Sequence, residues 1–235
     1  MEVSVVYFRS GFEVHEYDHV GRASRLHLER SRAIKCPNLL GHLCTFKKVQ
    51  QALSTPGTLQ RFLEGGEKER VERTFAPMFP LDESALGIQA RGLAMDEQTA
   101  KGYVLKPSLE GGGHNVYGSA IPGFLAGVEK ERWGSYVLME RIVPPSLSGV
   151  LISQRGIYEG DIVSELGVFG VCLWRQKEGV SRQRTDVQIV EEMEPSWSFK
   201  SKNARVDEMS VVKGYGCFDS PLLVDNKVFA ACVGN

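Results

Sequence analysis

No two cysteines in this 235-residue chain stand at C-x-x-C spacing, which removes the usual signature of a structural zinc site or a redox dithiol. The five cysteines, Cys36, Cys44, Cys172, Cys217 and Cys232, are scattered and odd in number; that usage suits reduced thiols in a cytoplasmic protein. The histidines His15, His19, His27, His42 and His114 never pair at metal spacing with another ligand. Net charge is nearly absent: 28 Lys and Arg against 29 Asp and Glu leave −1, so no global field invites nucleic acid or an anionic membrane. No apolar run approaches the ~20 residues of a membrane span. The N-terminus lacks the basic, apolar and small-residue order of a signal peptide. Internal repeats and low-complexity segments are missing as well. What is left is an ordinary soluble globular composition, 42% hydrophobic and 24% charged, long enough for one large or two modest domains.

Glycine, by contrast, is concentrated where it carries information. The run Lys106-Pro107-Ser108-Leu109-Glu110-Gly111-Gly112-Gly113-His114-Asn115-Val116-Tyr117-Gly118 follows a short apolar strand, Tyr103-Val104-Leu105. Three successive glycines expose backbone N–H groups that no side chain shields, a device for gripping phosphate oxygens. Lys106 adds a point charge, and Glu110 a hard oxygen ligand suited to Mg²⁺. Neither the P-loop nor the G-x-G-x-x-G turn is matched, because here the glycines follow the lysine. A glycine-rich surface turn is the plainer reading of the same residues.

The start of the chain, Val3 to Phe8, reads as a central strand buried on both faces. A buried strand with nothing before it predicts a chain that begins inside a larger domain. Helical stretches follow over Val20–Ala33, Leu39–Leu53 and Leu59–Ala76, the last broken at Gly65-Gly66. Residues 77–102 read as a connector with one short helix. A helix over Ile121–Arg132 and a strand over Tyr136–Ile142 come next. Val150–Ile152 is a further strand, Asp161–Trp174 gives two more divided at Gly167 or Gly170, and Val187–Met193 and Ser196–Lys200 are weaker ones. Helices first and strands later predict an α/β or α+β class.

Other residues carry chemistry less specifically. Met139-Glu140-Arg141-Ile142 closes a strand before a proline break; it reads as plain core or as a frame for an adenine edge. Glu165 is a carboxylate within an apolar strand and requires a partner, either a lysine or a ribose hydroxyl. Lys200 and Lys202 alternate onto one side of an extended segment. Arg9, after the first strand, is a bidentate clamp for a carboxylate or one half of an ion pair.

Taken with Val5-Val6-Tyr7-Phe8-Arg9, Leu28 to Pro37, Lys47-Lys48-Val49-Gln50-Gln51 and Ile162 to Gly170, these segments resemble, in order along nearly the whole chain, the C-terminal half of the eukaryotic glutathione synthetases, a family of ATP-grasp ligases. The resemblance implies the end of a substrate-binding α/β domain over residues 1–45 and an ATP-grasp domain with antiparallel sheets over 46–235. It implies ATP binding by Lys47, Lys106, Glu110, Gly111, Gly112, Gly113, His114, Asn115, Tyr117, Met139, Glu140, Arg141, Ile142, Glu165, Lys202 and Glu208. Glu110 would bind Mg²⁺. Arg9, Ser10, Gly11, Phe12, Lys200, Val211 and Val212 would meet the substrates. Those are γ-glutamylcysteine and glycine, joined through an acyl phosphate made from ATP. Phosphoryl transfer of this kind needs positioning and charge neutralisation rather than a side-chain nucleophile, and no catalytic residue is assigned.

Two departures from the family stand out. Lys200 replaces an expected arginine and loses its fork geometry, and Met209 to Gly214 is bulkier than the small-residue loop expected there; Gln176–Pro195 is also longer. The family's N-terminal half, with further Mg²⁺ ligands, most peptide contacts and the homodimer surface, has no counterpart in the chain. A ligase using another acceptor amino acid and a non-catalytic nucleotide-binding module therefore stand as alternatives.

Overall fold

The apolar run at the start of the chain forms a strand of only three residues in the computed structural model, which describes residues 2–108, 113–153, 156–177 and 187–221. This strand, β1 (Val5–Tyr7), pairs in parallel with β2 (Ile34–Cys36) in a two-stranded sheet. Val5 is 54% and Tyr7 64% exposed, so the expected central, doubly buried strand is corrected. Apolar composition predicts what a strand can bury; neighbours decide what it does bury, and among the described residues β1 has one strand neighbour.

By contact the chain divides into two units, Met1–Ile142 and Val143–Asn235. In the first, α1 (His19–Arg30) begins where Asp18 Oδ1 accepts from the Gly21 N–H at 2.8 Å, and α2 (Leu39–Cys44) where Asn38 Oδ1 accepts from the Gly41 N–H at 2.8 Å. Such caps satisfy N–H groups that a helix start leaves open. The single helix expected over Leu39–Leu53 is two, because Phe46 takes extended backbone (ψ 139°) before α3 (Lys47–Ser54). Then come α4 (Gly66–Glu72), β3 (Met78–Pro80), α5 (Ala85–Met95), α6 (Glu97–Ala100), β4 (Tyr103–Pro107), β5 (Val116–Tyr117), α7 (Ala120–Ala126) and β6 (Tyr136–Glu140). The helix expected over Ile121–Arg132 thus ends at Ala126, with Gly127 as its C-cap, and a 3₁₀ turn (Lys130–Ser135) follows.

The sheet of this unit runs β3-β6-β4-β5, and every pair is antiparallel. One face carries the core. Leu81, Leu105, Ile121, Leu125 and Leu138 have no exposed surface, and Ala90, Ala94, Ala100 and Trp133 complete the cluster. At about 25 cal/mol per Å² of apolar surface removed from water, such a cluster is what anchors the unit. The alanines let α5 and α6 approach closely.

The second unit is antiparallel sheet, ordered β10-β9-β8-β7, with β7 (Leu147–Ser153), β8 (Gly156–Gln176), β9 (Val187–Asn203) and β10 (Cys217–Phe218). The two strands expected in Asp161–Trp174 are one, and the two weak ones over 187–200 are also one. Gly170 does not end β8: the register shifts between Phe169 and Val171, and the strand continues. A bulge absorbs the glycine on one strand and Glu194-Pro195 on the other, where proline costs no ladder bond.

Candidate functional site

In the first unit the strand register sorts the expected nucleotide residues by face. Val104 stands opposite Met139 and Tyr117, Met139 opposite Met78, and Lys106 opposite Val137. Side chains alternate along a strand, so Lys106, Tyr117 and Met139 project from one face while Leu105 and Leu138 enter the core from the other. Glu140 falls on the core-side register, at the exposed end of β6. Its N–H donates to the Pro77 carbonyl at 2.9 Å, and that of Arg141 to the Gly102 carbonyl at 2.8 Å. Those two amides are therefore occupied by the chain itself. Ile142, 65% exposed, ends the run.

Lys47 opens α3, whose N-cap residue, Phe46, has no side chain that can accept a hydrogen bond. The Lys48 N–H lies 3.4 Å from Ser108 Oγ, so this helix start sits against the segment leaving β4, two residues beyond Lys106. A helix start presents the positive end of the dipole to an anion, while the Lys48 N–H already donates to Ser108 Oγ and the Val49 and Gln50 N–H groups to the Phe46 carbonyl. Two expected phosphate cations thus belong to adjoining backbone. Lys48 itself is turned toward Asp82, 3.8 Å away. Asp82 is held below the usual carboxylate range, chiefly by the Ser84 hydroxyl.

Gly113 has φ +74°, a left-handed conformation that favours glycine. His114 is exposed, and Asn115 Nδ2 donates to the Tyr117 hydroxyl at 3.3 Å. Glu110, Gly111 and Gly112 lie outside the described residues. Among the described residues no three His, Cys, Asp or Glu side chains group as a metal cage. The Mg²⁺ expectation rests on Glu110 alone.

The expected substrate loop has a local cause that the sequence reading missed. Glu16 accepts from the N–H groups of Gly11 (2.8 Å), Phe12 (2.9 Å) and Glu13 (2.8 Å), and the Tyr17 hydroxyl donates to the Gly11 carbonyl at 2.6 Å. The Glu16 carboxyl is held below its ordinary value by these bonds, that from Gly11 first. Gly11 has φ +82°. Arg9 and Ser10 are exposed, and the Arg9 guanidinium lies 5.9 Å from the Tyr7 ring. Phe12 meets His42 edge-on at 5.1 Å. The only sequence sign of this clasp is a carboxylate three residues after Glu13, at the start of a short turn.

In the second unit Glu165 and Lys200 are directly opposite on β8 and β9, and their charges meet at 2.9 Å. Of the two partners open to Glu165, the structure supplies the lysine. Lys202 Nζ donates to the carbonyls of Val206 and Asp207. Glu208 lies 3.9 Å from Lys213 Nζ. Val211 is half-buried, and Val212 is 98% exposed at the loop tip. Behind the lysines, on the other strand face, Ser201 is fully buried. Its hydroxyl donates to Asp219 Oδ2 at 2.6 Å and meets Ser164 Oγ at 2.7 Å. Nothing in Lys200-Ser201-Lys202 marked that serine.

Residues 9–223 match the family described as eukaryotic glutathione synthase, ATP binding domain. The glutathione synthetase large chain of Schizosaccharomyces pombe is 38% identical over 93% of this chain and 42% of its own length. The glutathione synthetase of Dictyostelium discoideum is 32% identical over 95% and 46%, and that of Homo sapiens 39% identical over 75% and 38%. The chain thus spans less than half the length of these relatives. Among solved structures, a glutathione synthetase-like effector from Globodera pallida, without ligand, superposes with a TM-score of 0.59 at 19% identity, over 86% of this chain and 39% of that one; this likeness concerns the fold. The match over residues 9–223 decides the matter: the chain belongs to the eukaryotic glutathione synthase family, in the part that forms its ATP-binding domain.

Proposed function

We propose that the chain acts in the ATP-dependent ligation of γ-glutamylcysteine and glycine to glutathione. The γ-phosphoryl group of ATP passes to the cysteinyl carboxylate, and ADP leaves. The glycine amine attacks the acyl carbon, loses a proton and expels phosphate. Lys47 and Lys106 neutralise the triphosphate, the Gly111–Gly113 run covers it, and Tyr117 and Met139 to Ile142 meet the base side. Glu110 would hold Mg²⁺, a hard cation suited to a carboxylate oxygen, and the ion would neutralise charge on the phosphates. Lys202, Glu165 and Glu208 complete the nucleotide contacts. Arg9 to Phe12, Lys200, Val211 and Val212 serve the peptide and the acceptor. A homodimer and a cytoplasmic location belong to the same reading; Cys36, Cys44, Cys172 and Cys217 are unpaired thiols.

The observation that carries it is the common sheet face of Lys106, Tyr117 and Met139, with the start of α3 held against the segment beyond Lys106 by the Lys48 N–H to Ser108 Oγ bond. Phosphate release by the chain supplied with MgATP, γ-glutamylcysteine and glycine tests it. Release is expected to require both amino-acid substrates and to fall at least tenfold in Lys106→Met, the scale on which charge stabilisation of transferred phosphoryl groups is felt. No release above background would reject ligation by this chain. A nucleotide-binding module is the second reading, favoured by the match of residues 9–223 to the ATP-binding domain. It predicts MgATP binding by calorimetry without turnover.

A further inference from the structure

The chain leaves β9 at Asn203 and rejoins the sheet at Cys217. Between them runs the loop of Val211 and Val212, which the proposed function gives to the peptide and the acceptor. Its entry is gathered by one side chain: Lys202 Nζ donates to the Val206 carbonyl and, at 2.9 Å, to the Asp207 carbonyl. Lys202 stands opposite Val163 on β8, which is 8% exposed, so the lysine backbone is fixed in the sheet while its head reaches past the end of β9. The turn beneath it is closed by the Val206 N–H to the Asn203 carbonyl at 3.1 Å and the Arg205 N–H to Asn203 Oδ1 at 2.9 Å. Farther on the loop folds on itself. Gly214 N–H donates to the Val211 carbonyl at 3.0 Å and Tyr215 N–H to the Ser210 carbonyl at 2.8 Å, with Lys213 facing Glu208 across the base.

An ammonium has three N–H donors and no acceptor, and hydrogen bonds from a charged donor are roughly twice as strong as neutral ones. Here two donors serve carbonyls of the loop entry. A phosphate oxygen arriving at the same ammonium shares its charge with those carbonyls, so nucleotide and loop meet on one cation.

We propose that Lys202 is a positioning residue for the 206–214 loop, and that through it nucleotide occupancy reaches the substrate side. The second half of this statement rests on the proposed function; the first does not.

Amide hydrogen exchange of the full 235-residue chain tests both. In Lys202→Met, exchange across 206–215, including the Gly214 and Tyr215 amides, is expected to rise at least about tenfold, the scale of losing even one of its two charged hydrogen bonds. The β7–β8 hairpin should keep its wild-type rates. Lys202→Arg, which retains a cationic donor, should restore most of the protection. Lys200→Met, two residues earlier on the same strand face and tied to Glu165 instead, should leave the loop unchanged. Loop rates in Lys202→Met equal to wild type, or acceleration spread equally through the hairpin, would overturn the positioning role. With MgATP binding established by calorimetry, unchanged loop exchange on adding it would overturn the coupling. Absence of MgATP binding would reject the coupling and the nucleotide reading together, leaving the loop result to stand by itself.

Discussion

Glu16 shows how one carboxylate can shape a loop whose own residues say little. Its three N–H partners lower its pKa from the ordinary 4.5, that of Gly11 most. A lowered folded-state pKa means stabilisation that is present above the unfolded value and lost as pH falls through the folded one. Exchange at the Gly11–Glu13 amides is therefore expected to accelerate, beyond its intrinsic pH dependence, only as pH drops below about 4.5. Glu16→Gln, which cannot gain charge, should show weakened protection at neutral pH and no such acid step; an acid step retained in the variant would dismiss the clasp. Ser201 is the buried counterpart. Ser201→Ala removes the hydroxyl that joins Ser164 to Asp219. A loss of about 1–2 kcal/mol is expected, because Asp219 is exposed and water can take over its lost bond. Urea unfolding should show the midpoint lowered with its slope unchanged.

At the scale of elements, α5 offers a case in which propensity and packing oppose each other. Alanine in place of glycine favours a helix by about 1 kcal/mol. At Gly87, however, an added Cβ would lie 2.3 Å from the Asp82 carbonyl oxygen and 2.5 Å from Asp82 Oδ1. The first of these is backbone and cannot rotate away, and displacing packed backbone costs about 1–3 kcal/mol. Gly87→Ala is expected to lower thermal stability despite its helical position; a raised midpoint would show that the turn yields freely. The same contrast explains what was legible here. The helix α1, with its Asp18 cap, agrees with its expected span apart from the ends, whereas the connector with one short helix expected over residues 77–102 holds β3 and two helices, α5 and α6. The short strands β2, β3 and β10 escaped the reading because two or three residues carry no periodicity; partner strands alone define them. A single break is expected at Gly167 or Gly170, but Gly167 lies beside Ser198 and Phe169 within the strand and Gly170 sits at the register shift.

For the whole molecule the testable quantity is linkage. A ligand that binds only the folded chain stabilises it by about 2.7 kcal/mol at a hundred times its dissociation constant. MgATP is thus expected to raise the midpoint of thermal unfolding in a concentration-dependent way, and Lys106→Met to shift that dependence to higher concentration. An unchanged midpoint at millimolar MgATP would argue against nucleotide binding by this chain. Read alone, the amino-acid order was enough for the class, the nucleotide reading and the family, because charge next to consecutive glycines is a local signal and collinear motifs accumulate. It could not decide which face Lys106, Tyr117 and Met139 share, since that depends on strand register. Nor could it tell that Glu165 is answered by Lys200, that Glu16 clasps the Arg9–Phe12 loop, or that Lys202 gathers two carbonyls. Cross-strand and loop contacts join residues far apart or of unremarkable type, and only the folded backbone brings them within hydrogen-bonding distance.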